Sequence, residues 1–189
     1  MSFLNDYPAF AGFLKFAILA TLGEIIARLV TTGRLTLRGI HLGERALAWG
    51  FIGYVLSFVI PIYSAGIDKL AALDRLILLP MAPELSLAFW KSFWMNALFG
   101  LPLMIFHRVT DTFIDNRAFL RLGGWPFSQT LIAVDWKNIC RKVAPTLVWF
   151  WLPAHTITFM LSPEYRVFMA ALLSICLGMI LALMKPRSN

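Results

Sequence analysis

Five long apolar runs constrain what this chain can fold into more than any other feature. They cover residues 8–29, 46–66, 85–106, 143–161 and 167–184. Each is near the roughly 20 residues that a helix needs to cross the hydrocarbon layer of a bilayer. A soluble domain carries about a quarter charged residues. Here only 14% of 189 residues are charged, 59% are hydrophobic, and the mean hydropathy is +0.74. A soluble core of this size has no room for that much apolar surface, but lipid accommodates it. Lipid also offers the backbone no hydrogen-bond partners, so the runs must close their own bonds as helices or barrels. None shows the sustained period-2 alternation of a barrel strand. The chain therefore reads as one all-α domain, a polytopic transmembrane helix bundle of about five spans, with the lipid bilayer as its first partner.

The formal net charge of +7 would point to nucleic acid in a soluble protein, but no nucleic-acid motif accompanies it. Its distribution fits topology instead. With five spans, one side holds Arg34, Arg38, Arg45, Arg108, Arg117, Arg121, Lys137, Arg141, Lys142, Lys185 and Arg187, and the other holds Lys69, Arg75 and Arg166. That asymmetry places the C-terminal side in the cytosol or its topological equivalent. Residues 1–10 resemble neither a secretory signal nor a transit peptide, so targeting is expected to be internal. Cys140 and Cys176 are expected as unpaired thiols, since their separation gives no metal-ligand spacing.

Polar residues inside the runs are the candidates for function. Glu24 and Arg28 share a helix face. A charge at the bilayer centre costs about 2.5–3.5 kcal/mol on insertion scales. Two readings follow: Arg28 snorkels outward and pairs with Glu24, or Glu24 faces a wet bundle interior. Asn96 lies within the third run. His155 lies within the fourth, on one face with Trp151 and Thr158. It either bonds a neighbouring helix or lines a polar path. Glu24, Arg28, Asn96, His155 and Thr158 form the candidate path, with Pro61, Pro102 and Pro153 expected to kink the helices around it. The pairs Gly23/Ala27 and Ala46/Gly50 have the small-residue spacing of close helix contacts. Lys91, between Trp90 and Trp94, reads as a snorkelling lysine in an aromatic belt. Residues 129–142 read as an amphipathic interfacial helix, with Ile132, Trp136 and Ile139 on the apolar face and Lys137 and Arg141 opposite.

No G-x-S-x-G, Walker loop, H-E-x-x-H or C-x-x-C is present. The three histidines, His41, His107 and His155, are far apart in sequence. No enzymatic activity, cofactor, metal or nucleic-acid partner is expected on these grounds.

The order of several short signals resembles the family of Mpv-seventeen and the twenty-two-kilodalton peroxisomal membrane protein, from about Tyr7 to Lys185. Those signals are Tyr7-Pro8, Gly23-Glu24 where the family commonly has Gly-Asp, Arg45 opening the second helix, and Ile67-Asp68-Lys69 closing it. Lys91 and Pro102, Asp135-Trp136, then Trp151, His155, Thr158-Phe159, Pro163 and Tyr165-Arg166 follow. The chain departs at Ser57-Phe58 for Gly-Pro, Tyr63-Ser64 for Trp-Tyr, Asn96-Ala97 for Asp-Gln, His155 for Gln and Thr158 for Asn. The family's final Trp-Asn is missing, and the Pro163-to-Arg166 spacing is one residue short. The resemblance implies an organellar membrane protein, first of the mitochondrial inner membrane and alternatively of the peroxisome, associated with channel-like passage of small solutes. The lost polar positions raise the alternative of a structural accessory subunit of a larger membrane complex, such as a respiratory or ATP synthase assembly. Homo-oligomers are compatible with either.

Overall fold

The computed structural model describes residues 6–34, 41–117, 119–120, 124 and 126–183, and these contain helices, turns and loops without a strand. Arg38 and Gly39 of the first loop, Arg121 and Gly123 of the long connection, and Met184, Lys185 and Arg187 lie outside the described residues.

Helix α1 (Pro8–Thr32) opens on a proline whose fixed φ suits a first helical turn. It ends at Gly33, which takes φ 67° and returns its amide to the Leu29 carbonyl. Helix α2 spans Leu42–Ala72. Helix α3 (Pro83–Met95) runs through a π turn at Asn96–Gly100 into α4 (Leu101–Asp115). Among the described residues, three helices are long and apolar enough to cross a membrane: Pro8–Val30, Leu42–Ala72 and Pro83–Asp115. At 1.5 Å per residue, Arg45 and Asp68 stand about 35 Å apart along α2, more than the roughly 30 Å of a hydrocarbon core. These two charges thus lie at opposite ends of the apolar zone.

The fourth expected run falls in a stretch that is helical throughout residues 136–160. It consists of α6 (Trp136–Asn138), a π turn (Ile139–Val143), α7 (Ala144–Thr146), a second π turn (Leu147–Trp151) and α8 (Leu152–Met160). The fifth is α9 (Pro163–Leu183).

The three π turns share one cause. Each is centred four residues before a proline: Leu98 before Pro102, Arg141 before Pro145 and Trp149 before Pro153. A proline ring collides with the carbonyl four residues earlier and supplies no N–H to it. A widened turn takes up that collision inside a continuous helix. The kinks expected at Pro102 and Pro153 are therefore π turns, and Pro145 makes another. Pro61 is passed within regular α-helix.

The amphipathic helix expected over 129–142 is divided. Helix α5 (Phe127–Ala133) stops because Val134 is extended, and Asp135 caps the next helix by accepting the Asn138 amide at 2.9 Å. Ile132 is 82% exposed while Ile139 is 2% exposed, so the two do not share an apolar face; Trp136, Lys137 and Arg141 are exposed. The sequence spacing held only for an unbroken helix, and the Asp135 cap resets the phase.

Helix α1 packs along α2 and α9, α3 packs against α8, and α2 bridges to α3. Phe16, Ala20, Ile52, Leu56, Ile60, Ala88, Met95, Phe159, Ala170 and Ala171 form the core where these helices meet. Large apolar side chains such as Ile18, Ile62, Leu98 and Ile157 are at least 58% exposed on the outer faces, as lipid contact requires.

Helices α1 and α2 approach closely at Gly12 and Gly53. A Cβ on Gly53 would overlap the Gly12 carbonyl oxygen and lie 2.6 Å from Phe16 Cβ. The expected small-residue pairs pack elsewhere: Gly23 faces Ile175 of α9, and Gly50 faces the Phe13 ring. Close backbone approach is a main source of helix association in lipid. Gly53→Val is expected to destabilise the detergent-solubilised bundle by about 1–3 kcal/mol, the usual cost of overpacking. Gly66→Ala, in the same helix with open space around it, is expected to be neutral or to stabilise by up to about 1 kcal/mol. Thermal unfolding of the two variants side by side checks both.

Candidate functional site

The ends of three helices meet at a charged cluster. Arg45, in the first turns of α2, is 7% exposed. Its guanidinium reaches Glu24 Oε2 of α1 at 3.1 Å, Asp111 Oδ1 of α4 at 3.0 Å and Asp115 Oδ1 of α4 at 2.6 Å. Trp49, one turn along α2, donates its indole N–H to Glu24 Oε1 at 2.6 Å. The Trp49 ring also lies 4.2 Å from that of His107, whose Nδ1 stands 3.7 Å from Asp111 Oδ1. Glu24 therefore has both oxygens engaged by α2. It pairs across helices with Arg45; Arg28 is exposed.

A cavity of about 410 Å³ extends from this cluster into the bundle. Five helical stretches contribute to its wall, α5 not among them: Phe16, Ala20 and Glu24 from α1; Arg45, Trp49, Ile52 and Leu56 from α2; Asn96, Leu103, Met104, His107, Arg108 and Asp111 from the α3–α4 helix; Leu147, Trp151 and His155 from 136–160; Ala170, Ser174 and Leu177 from α9. Asn96 and Asp111 are separated by about 22 Å of helix. Beyond Asn96 the bundle is filled by the buried side chains of Ile60, Ala88, Met95 and Phe159.

The inner wall holds a neutral polar group. Asn96 Nδ2 donates to the Ser92 carbonyl at 2.8 Å and lies 3.3 Å from His155 Nδ1. Ser92 Oγ donates to the Leu152 carbonyl at 2.7 Å. The Trp151 and His155 rings are 4.9 Å apart. The buried indole Nε1 of Trp151 has no acceptor among the described residues, an omission that costs about 1–3 kcal/mol.

Of the five residues expected to line a polar path, Glu24, Asn96 and His155 are in the cavity wall, and Arg28 and Thr158 are not. Thr158 is 1% exposed and returns its hydroxyl to the Ala154 carbonyl at 2.9 Å, the usual way a helix interior absorbs a threonine. Arg45, Trp49, His107 and Asp111 were not among the expected site residues. A signal for two of them exists: His107, Asp111 and Asp115 recur every four residues and form one stripe on a helix. It is hidden because the apolar run ends at Phe106 while the helix continues to Asp115.

At the opposite end, Lys91 does not snorkel. It is 8% exposed and pairs with Asp68 Oδ1 of α2 at 2.8 Å. Arg166 joins the same end, donating to Ser64 Oγ at 3.0 Å and to the Phe159 and Leu161 carbonyls at the terminus of α8.

Glu24, His107 and Asp111 present ligand atoms within 4.8 Å of one another. Arg45 already bridges the two carboxylates, so a metal ion would have to displace a guanidinium. The cluster is better described as a charge clamp than as a metal centre.

Comparison of the chain with protein-family models, curated proteins and solved structures found no match. Breaking a buried ion pair by removing one partner costs about 3–5 kcal/mol. Arg45→Met is therefore expected to lower stability by about 3 kcal/mol. Arg45→Lys should recover only part, since an ammonium lacks the fork that serves Glu24, Asp111 and Asp115 together. Full stability in Arg45→Met, measured by thermal unfolding in mild detergent, would remove the clamp from this account.

Proposed function

We propose that this protein is a channel-like membrane bundle that passes small solutes, held in a closed state in this structure. The observation that carries the reading is the cavity itself. It is walled by α1, α2, the α3–α4 helix, residues 136–160 and α9, begins at the charge clamp near one end of α2, and continues inward to Asn96 and His155. The roughly 22 Å of helix it follows is most of a hydrocarbon thickness of about 30 Å. Ile60, Ala88, Met95 and Phe159 close the remaining distance. A path of this kind keeps polar groups where they face a cavity rather than lipid.

The resemblance to the Mpv-seventeen family supports the same reading. Residues that carry it come together in space: Glu24 with Arg45, Asp68 with Lys91, and Trp151 with His155. On that basis we place all five runs across an organellar membrane, the mitochondrial inner membrane first and the peroxisomal membrane second. Polar positions that differ from the family pattern, Asn96 and His155, contact each other, so the substitutions form a matched pair rather than an eroded site.

Proteoliposomes containing the purified chain are expected to equilibrate glycerol and urea faster than protein-free liposomes in a light-scattering assay. Met104→Trp places an indole in the cavity and is expected to slow that flux about tenfold while keeping the unfolding temperature. Permeability no greater than that of protein-free liposomes would end the channel reading and leave the accessory-subunit reading in its place.

A further inference from the structure

The helices around the cavity form a ring with one joint missing. Helix α9 packs on α1, α1 on α2, α2 on α4, and α4 on the π turn Ile139–Val143. Helix α8 packs on α9, to which a short turn joins it, but among the described residues the stretch 139–151 makes little contact with α9. Both segments nevertheless line the cavity, through Val143 and Leu147 on one side and Ser174 and Leu177 on the other. The cavity is therefore not enclosed, and its open flank lies between them. In a bundle that crosses a bilayer, a gap at this depth opens on acyl chains rather than on water.

The lining behind that flank is apolar, with Phe16, Ile52, Leu103, Met104 and Leu147. Arg108 belongs to the same wall and is partly exposed, and no carboxylate stands within ion-pair distance of it among the described residues. Arg141 and Lys142 are exposed, lack an ion pair among the described residues in the same way, and lie in the π turn that packs on α4. Glu24, Asp111 and Asp115 stand at this end too, but each already has an oxygen on Arg45. The cleft thus has three cations at its mouth and hydrocarbon side chains within. From Arg108 to Asn96, where the cavity stops, is about 18 Å of helix, against about 15 Å for the hydrocarbon of one leaflet. With five spans, Arg34, Arg117 and Lys137 share this side, and the cytosolic leaflet that such a side faces is the one rich in anionic lipid.

We propose that the open flank holds an acyl chain of an anionic membrane lipid, with the lipid headgroup against Arg108 and the basic turn at Arg141 and Lys142. The acyl chain supplies the wall that the protein leaves out, and the cations select the headgroup through charge-assisted hydrogen bonds. The proposal rests on the placement of the runs across a membrane that the channel reading adopts, but not on passage of a solute.

The test uses the purified full chain in detergent, offered phosphatidylglycerol or phosphatidylcholine with the same two acyl chains, and native mass spectrometry counts the lipid retained. Phosphatidylglycerol is expected to be retained about tenfold better. Arg108→Gln should lower its retention about five- to tenfold and leave phosphatidylcholine unchanged, whereas Lys69→Gln, an equal loss of charge at the other end of α2, should change neither. A second measurement places the chain. Phosphatidylglycerol carrying a diazirine at the end of one acyl chain is illuminated, and the adducts are mapped. They are expected at Leu103 and Met104 of the cavity wall, and Ser174→Trp, which fills the flank, should remove them while labelling persists at Met160, 57% exposed on an outer face. The mapping on the unsubstituted chain serves as the test even where Ser174→Trp does not fold. Equal retention of the two lipids, equal losses from Arg108→Gln and Lys69→Gln, or adducts confined to outer faces overturns the proposal. Selective retention in a chain that gives liposomes no permeability would sustain the lipid site and end the channel reading. Permeability without selective retention would end the lipid site alone.

Discussion

Arg45 is the side chain on which the arrangement of helices depends most. A guanidinium buried to 7% exposure is tolerated only when its charge and its N–H groups are met. Here they are met by Glu24 from α1 and by Asp111 and Asp115 from α4, so one residue of α2 fixes the relative position of three helices at one end of the bundle. Its planar fork, with donors spread over a fixed geometry, suits several carboxylates at once. Trp49 extends the same joint by holding the other oxygen of Glu24. At the far end, Asp68 with Lys91 ties α2 to α3, and Arg166 ties α9 to α2 and to the last carbonyls of α8. The helices are thus pinned by charge near both faces and packed by apolar contact between them. The cavity lies in the interval.

Proline chemistry shapes that interval. Two of the three π turns, Asn96–Gly100 and Leu147–Trp151, contribute cavity residues: Asn96 and Gly100 from one, Leu147 and Trp151 from the other. A π turn inserts an extra residue into the helical rotation, so side chains on either side of it are re-phased. His107 and Asp111 lie beyond one such turn and His155 beyond another. The prolines at 102 and 153 therefore act at a distance from their own positions, by setting the faces that polar residues present. The two turns also contact one another in the bundle.

The hydroxyl groups show the same economy of partners. Thr110, Thr146, Thr156 and Thr158 all return their hydroxyls to carbonyls of their own helices. They need nothing from neighbouring helices and therefore do not report on the cavity. Asn96 differs: its amide nitrogen donates to the Ser92 carbonyl, lies 3.2 Å from Ser92 Oγ in its own helix, and also stands 3.3 Å from His155 Nδ1 in another. That difference separates residues that merely sit in an apolar helix from residues that link helices. Thr158, placed on the same face as His155 by spacing alone, is 1% exposed and is not in the cavity wall.

The sequence by itself determined the all-helical class and the positions of Glu24, Asn96 and His155 as polar groups within apolar runs; of the five spans it led one to expect, three are helices long and apolar enough to cross a membrane among the described residues. These are local properties: run length, periodicity and the cost of exposed backbone act within a few turns of helix. Tertiary structure decided which polar groups meet. Arg45 and Asp111 stand 66 residues apart and Asn96 and His155 stand 59 apart, so no local spacing encodes their contact. Phase was the other thing decided in three dimensions. Ile132, Trp136 and Ile139 share a face only on an unbroken helix, and the extended Val134 with the Asp135 cap breaks it. Sequence periodicity counts residues at a fixed angle, whereas caps and π turns change that angle, and only the folded chain shows where.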